Sequence, residues 1–283
     1  MGDIMTTALC AANVKQAWRV LRNDAAPWAP GTEEQDLQKN SPFHLLTIVE
    51  ELREGRYRPL PIRQWAVKKG DGGRRVLSAQ YRRDKFAQRL ILQVLEPRAE
   101  AFFHHDSFGY RPGRGVPHAL RKVRERVHTG LRWVVDADIE KFFDRVPHGP
   151  LLRMVKRTFG DRWLLNLVKA WLDVGPHTSG LLQGRRGLLQ GAVISPFLCN
   201  LYLHAFDRAM ARANITFVRY ADDFLLMTPD VDSSRTAHAL AEKALRRLGL
   251  QLNARKTRVC EVYEGVVFLG ETVCRGKGSP QRD

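Results

Sequence analysis

Apolar residues recur along this chain with two periods, and the alternation between them divides it into elements. Val14–Leu21 and Leu45–Leu52 repeat at helical spacing, separated by a Pro- and Trp-rich stretch at 26–31. Ile62–Val67 and Arg74–Leu77 are short β-like runs around a Gly-rich, basic tip, which predicts a hairpin. Lys85–Phe103 returns to helical spacing with a predicted interruption near Pro97, and Val116–Val127 predicts a further helix studded with arginine.

The second half mixes the two periods. Trp133–Ile139 is Val-rich and alternating, hence a strand, and Leu151–Leu172 predicts one or two helices. After a Gly-rich connection, Ser195–Arg212 predicts a helix. Thr216–Tyr220 and Phe224–Met227 predict a tight hairpin around Ala221-Asp222-Asp223, and Ala237–Leu248 a last helix. Only 275–283 has the polar, Gly-rich character of a frayed end. The pattern implies an α+β fold.

Charge adds a partner to this picture. The chain of 283 residues carries 46 Lys and Arg against 30 Asp and Glu, a formal +16. Residues 51–126 alone hold 19 of the basic and 8 of the acidic residues, so the excess is concentrated ahead of the middle and points to a polyanion. Cys10, Cys199, Cys260 and Cys274 show neither metal-ligand spacing nor a disulfide framework, which fits a reducing cytoplasm. With no long apolar span and no signal-peptide order, a soluble, cytoplasmic protein without a membrane partner is expected.

Three acids carry the candidate chemistry. Asp138 ends the predicted strand 133–139, while Asp222 and Asp223 occupy the tip of the apolar hairpin. Like charges a few ångströms apart raise each other's pKa unless a cation neutralises them, so their convergence makes a metal site. Mg2+, or Mn2+ in its place, takes a few carboxylates plus phosphate oxygens, the arrangement of two-metal phosphoryl transfer. The plainer alternative is that Asp222-Asp223 is a turn pair and Asp138 a helix N-cap. Lys69 and Arg75 flank the glycine-rich tip, which taken alone is a soluble turn; only together with the chain's other motif blocks are they expected to close on the β- and γ-phosphates of a nucleotide, with Lys68 as an alternative to Lys69.

The order of several blocks brings a resemblance into view. Tyr57-Arg-Pro, Lys69-Gly-Asp-Gly-Gly-Arg-Arg-Val-Leu77, Asp106-Ser-Phe-Gly-Tyr-Arg-Pro-Gly-Arg114 and Asp138-Ile-Glu-Lys-Phe-Phe-Asp144 follow one another. Then come Gly187-Leu-Leu-Gln-Gly-Ala-Val-Ile-Ser-Pro196 with Asn200, Tyr220-Ala-Asp-Asp223, Leu252-Asn-Ala-Arg-Lys-Thr257 and Phe268-Leu-Gly270. In that order they resemble the group II intron-like bacterial reverse transcriptases, and the 108–114 and 136–143 stretches look most like the CRISPR-associated branch.

The resemblance implies a right-hand polymerase core: an N-terminal helical extension (1–55), helical fingers (56–130), and a palm with an antiparallel sheet (131–283) into which fingers-derived helices at about 150–190 are inserted. It implies RNA-directed DNA synthesis with Asp138, Asp222 and Asp223 as the catalytic acids and Asp138, Ile139, Asp222 and Asp223 as the metal set. Asp136 and Asp144 rank below Asp138. Phe143 matches a ring that excludes a ribose 2′-hydroxyl, Gln190 a residue under the nucleotide, and Lys256 a lysine that assists the leaving pyrophosphate. Arg111 and Arg114 resemble template contacts, which Arg121, Lys122, Arg124 and Arg126 would extend as a phosphate track; Phe108 and Tyr110 beside them could pack or stack.

The implied partners are an RNA template, a DNA or RNA primer and deoxynucleotides. With only thirteen residues after Gly270, the helical thumb is expected to be absent or truncated. A CRISPR integrase or another protein is then expected to supply the missing grip or nuclease. The alternative is an RNA-binding, maturase-like protein that does not polymerise; a primase- or cyclase-like palm is disfavoured by the fingers blocks.

Overall fold

A computed structural model describes residues 3–68, 74–175, 178–180 and 184–273, with side chains described outside 65–68, 74–77, 178–180 and 184. Lys69, Cys274 and the tail at 275–283 lie outside the described residues. In chain order the helices are α1 (Ile4–Ala8), α2 (Ala11–Leu21), α3 (Glu34–Lys39), α4 (Ser41–Arg53), α5 (Arg82–Glu100), α6 (Val116–His128), α7 (Phe142–Arg145), α8 (His148–Phe159), α9 (Arg162–Val174), α10 (Ser195–Arg212) and α11 (Val231–Arg247). The strands are β1 (Arg63–Lys68), β2 (Arg74–Ala79), β3 (Trp133–Asp138), β4 (Thr178–Gly180), β5 (Gly184–Arg186), β6 (Thr216–Tyr220), β7 (Asp223–Thr228), β8 (Arg258–Glu261), β9 (Val267–Phe268) and β10 (Glu271–Thr272). They gather into two compact units, Met1–Ala101 with Pro147–Leu198, and Phe102–Val146 with Cys199–Asp283.

The first unit is largely helical. Its axis is α5, whose Phe86, Ala87, Leu90 and Ile91 are fully buried. The helix runs on through Pro97 to Glu100 instead of breaking there, forgoing the bond that a residue at 97 would otherwise donate to the Gln93 carbonyl. Tyr57 donates to the buried Asp84 at 2.6 Å, tying the segment after α4 to the start of α5. The stretch 151–172 resolves into α8 and α9. Gly160 between them takes φ 64°, a left-handed value that ends α8, and Asp161 caps α9 by accepting from the Leu164 N–H at 2.8 Å. β1 and β2 form the expected hairpin.

The second unit is built on a four-stranded antiparallel sheet in the order β6-β7-β3-β8. Residues directly opposite one another share a face, and so do alternate residues along a strand. One face therefore carries Val134, Met227 and Cys260 at one end, Asp136, Leu225 and Arg258 in the middle, and Asp138 and Asp223 at the other end. Ala119, Leu120, Val123 and Val127 of α6 bury the apolar end in a core with Val134, Val218, Leu225 and Met227. The opposite face meets α10 and α11: the Phe224 ring lies 4.9 Å from Phe206, and Thr228 Oγ1 and Ser234 Oγ share a hydrogen bond at 2.6 Å. The acids thus sit at the end of the face that α6 leaves uncovered.

Candidate active site

The register of the sheet places the acids. Asp138 is the last residue of β3 and pairs directly with Asp223, the first residue of β7. Such opposed residues have Cβ atoms about 4.5–5.5 Å apart. Asp222 precedes Asp223 in the two-residue turn from β6, in which Ala221 takes φ 58°. A positive φ at the first central residue suits a hairpin turn that follows strand twist, but it is a conformation glycine adopts more readily than alanine.

The electrostatics are those of crowded carboxylates. Asp223 opens to solvent, yet loss of surrounding water and then the charges of Asp138 and Asp222 push its pKa up to about 6. Asp222 is pushed up as well, by burial first and by Asp138. Lys256 answers this charge: its Nζ lies 2.8 Å from Asp138 Oδ2, and that hydrogen bond and attraction raise the lysine above its ordinary pKa. Asn253 adds a backbone N–H to Asp138 O at 2.8 Å and a side-chain amide to Oδ2 at 3.3 Å. Ile139, just beyond the strand, is buried and bridges to Leu252.

Asp138 is drawn toward Lys256 and Asn253, and the three acids do not draw their oxygens all within 4.8 Å of one another. Among the described residues that spacing occurs at His104, His105 and Asp106. The donors at the sheet end are all hard carboxylate oxygens, the ionisation of Asp222 and Asp223 is opposed by burial and by neighbouring charge, and Asp138 holds an ammonium group. Such a set fits a hard divalent cation.

The other expected residues fall in various places. Phe143, half-buried in α7, meets the buried Phe142 edge to face at 5.7 Å. Asp136 shares the face of Asp138 but pairs with Arg258 at 3.1 Å, and Asp144 is exposed on α7. Gln190 belongs to the first unit, exposed in a turn ahead of α10. Arg75 lies on β2 opposite Val67, and its side chain is outside the description, as is Lys69 altogether.

The arginines divide into two sets. Arg111 is buried and donates to the carbonyls of His104 and Ser107, both at 2.6 Å, so it shapes its own loop. Arg114 donates to the His105 carbonyl at 2.7 Å and lies over the Phe108 ring. Arg126 pairs with the buried Asp106 and donates to the Phe217 carbonyl. Arg121 and Arg124 are exposed on α6 with Lys122 beside them, and among the described residues they pair with the exposed Glu125 and Glu271. Phe108 packs in the core, whereas Tyr110 is 48% exposed.

Sequence reading missed the buried centre beneath the turn. Arg219, fully buried on β6, forms a two-point ion pair with Asp207 of α10, Nε to Oδ1 at 2.7 Å and Nη2 to Oδ2 at 2.6 Å. The available signals were an arginine inside an apolar strand and an aspartate inside an apolar helix.

A family model described as reverse transcriptase (RNA-dependent DNA polymerase) matches residues 67–273. The chain belongs to the reverse transcriptase family. It is 30% identical to Protein YkfC of Escherichia coli (strain K12), covering 88% of this chain and 76% of that protein. It is 28% identical to the group II intron-encoded protein LtrA of Lactococcus lactis subsp. cremoris, over 83% of this chain but 37% of LtrA. Among solved structures, a chain of a partial Cas6-RT-Cas1–Cas2 complex shares the fold with a TM-score of 0.50 at 22% identity, covering 87% of this chain and 42% of that one. Family and fold thus agree with the expected right-hand polymerase architecture, helices with an antiparallel palm sheet. Reverse transcriptases are RNA-directed DNA polymerases, which as a class use divalent metals and bind a template and a primer. Among the described residues no helix is long and apolar enough to cross a membrane.

Proposed function

We propose that this chain extends a primer 3′-hydroxyl with deoxynucleotides on an RNA template, with Asp138, Asp222 and Asp223 holding the divalent cations and the Ile139 carbonyl completing the set. The observation that carries this reading is the pairing of Asp138 with Asp223 at the open end of the palm sheet, with Asp222 in the adjoining turn. Mg2+ or Mn2+ bound there supplies Lewis-acid activation of the attacking hydroxyl and neutralises charge on the triphosphate. Lys256, exposed and held beside Asp138, has a flexible stem that lets its ammonium group turn to the departing pyrophosphate. Phe143 supplies the ring that rejects a 2′-hydroxyl, Gln190 supports the nucleotide, and Lys69 and Arg75 hold its phosphates. Arg121 and Lys122 provide sequence-independent phosphate contacts, assisted by Arg124, while Arg111 and Arg114 shape the loop that carries them toward the template.

Extension of oligo(dT) on poly(rA) with Mg2+ tests this reading. The expected result is templated extension by the wild type and a loss of about 10²-fold or more in Asp222→Asn, the scale for removing a group that stabilises transition-state charge. Tight RNA binding without extension would favour the maturase-like alternative. At the level of pathway, the 108–114 and 136–143 stretches favour a role beside a CRISPR integrase in acquiring spacers from RNA. Co-purification with such an integrase, and RNA-derived spacers that depend on Asp222, are the expected outcomes.

A further inference from the structure

The turn that carries Asp222 and Asp223 is clamped from behind. Residues 106–108 run alongside β6: the Arg219 N–H donates to the Asp106 carbonyl at 2.9 Å, and the Phe108 N–H to the Arg219 carbonyl at 2.8 Å. This brings Gly109 onto the turn itself. A Cβ added at Gly109 would lie 2.4 Å from Ala221 N, 3.0 Å from the Tyr220 carbonyl carbon and 3.2 Å from Ala221 Cα, all backbone atoms with no flexible end to yield.

Side chains lock this contact from both partners. The buried Asn200 donates its amide to the Gly109 carbonyl at 2.7 Å and accepts from Arg219 Nη1 at 3.1 Å. The same Nη1 donates to the Ala221 carbonyl at 2.9 Å. Asn200 and Arg219 therefore join the two backbone segments that touch, and hold Ala221 at a left-handed φ that an L-residue otherwise avoids.

We propose that Gly109, locked by Asn200 and Arg219, is a positioning residue that fixes where the Asp222-Asp223 carboxylates stand and thereby sets their affinity for divalent cations. The inference rests on the reading of those aspartates as metal ligands. Any side chain at 109 pushes the turn outward, and a displacement of the order of 1 Å in such a constellation costs about 10²-fold in turnover.

The test is Mn2+ binding by electron paramagnetic resonance on the full chain, alongside primer extension over a range of Mg2+. In Gly109→Ala the expected result is Mn2+ affinity about tenfold weaker, a matching rise in the Mg2+ needed for half-maximal rate, and unchanged affinity for a primer–template duplex. Asn200→Asp provides a second route should Gly109→Ala fold poorly, since it keeps the acceptor for Arg219 and removes the donor to Gly109. Added negative charge alone would tighten Mn2+ binding, whereas a loosened turn weakens it, and weakening is expected. Mn2+ affinity and Mg2+ dependence within twofold of wild type in Gly109→Ala, or tightened binding in Asn200→Asp, would overturn the inference while leaving the polymerase reading intact. Wild-type Mn2+ binding that Asp222→Asn does not alter would overturn both.

Discussion

Arg219→Met would remove a charge from a site where every donor is engaged. The guanidinium has five N–H donors, and five acceptor contacts meet them: Asp207 twice, Asn200, the Ala221 carbonyl and Ser107 Oγ. Asp207 beside it holds the arginine's pKa above its ordinary value although burial alone would lower it. The substitution strands the Asp207 carboxylate, whose side chain is 1% exposed, and breaking such a buried pair costs about 3–5 kcal/mol. At 1.36 kcal/mol per factor of ten, that is about 10²- to 10⁴-fold in the opening equilibrium of the second unit. Amide exchange over β6 and β7, followed by mass spectrometry in increasing urea, reads that equilibrium directly. Arg219→Met with Asp207→Leu removes both charges and should recover a large part of the loss, while Arg219→Lys, with three donors, should not. If the single and double variants lost the same stability, or if neither lost any, the ion pair would not be what secures this side of the sheet.

Further outcomes follow from the same geometry. Lys256→Met removes the ammonium group that competes for Asp138, so Mn2+ should bind more tightly while the rate of primer extension falls; weaker Mn2+ binding would contradict the pairing. Asp223 ionises near 6 in the folded chain against about 3.9 for an ordinary aspartate, so the metal-free fold loses stability as pH rises through that interval and a cation restores it. Thermal unfolding should accordingly show Mg2+ raising Tm by about 2–4 °C at pH 8 when present near ten times its Kd, and by less at pH 5; an equal shift at both would refute the electrostatic cause. Phe143→Ala should admit ribonucleotides, read as a rise in their kcat/KM relative to deoxynucleotides, with Tm little changed because the ring is only half-buried.

The parts of the fold that were legible have strong local signals. The long helix Ser195–Arg212 and the strand Thr216–Tyr220 match their apolar periodicity end to end, and the acids at the hairpin tip stood out because carboxylates interrupt apolar arms. α11 begins at Val231, six residues before its apolar pattern does, since its first turn is polar and held by the Asp230 cap. β8 was missed because four residues with one buried position carry no usable period, yet it completes the sheet beside β3. The clamp was illegible for a different reason. Arg219, Asp207, Asn200 and Gly109 are joined only by tertiary packing, and neither charge nor spacing announces that a helix aspartate will meet a strand arginine twelve residues away. Arg111 and Arg126 show the converse limit, since basic residues that read as surface contacts are bound to carbonyls and to Asp106 within the unit.

Copying an RNA of defined sequence from an annealed DNA primer and sequencing the product tests the central reading most directly. The expected product is a DNA strand complementary to the RNA, made in Mg2+ or Mn2+ by the wild type and lost when Asp138, Asp222 or Asp223 becomes asparagine. An unextended primer, or an added tail that ignores the template, would contradict RNA-directed synthesis by this chain.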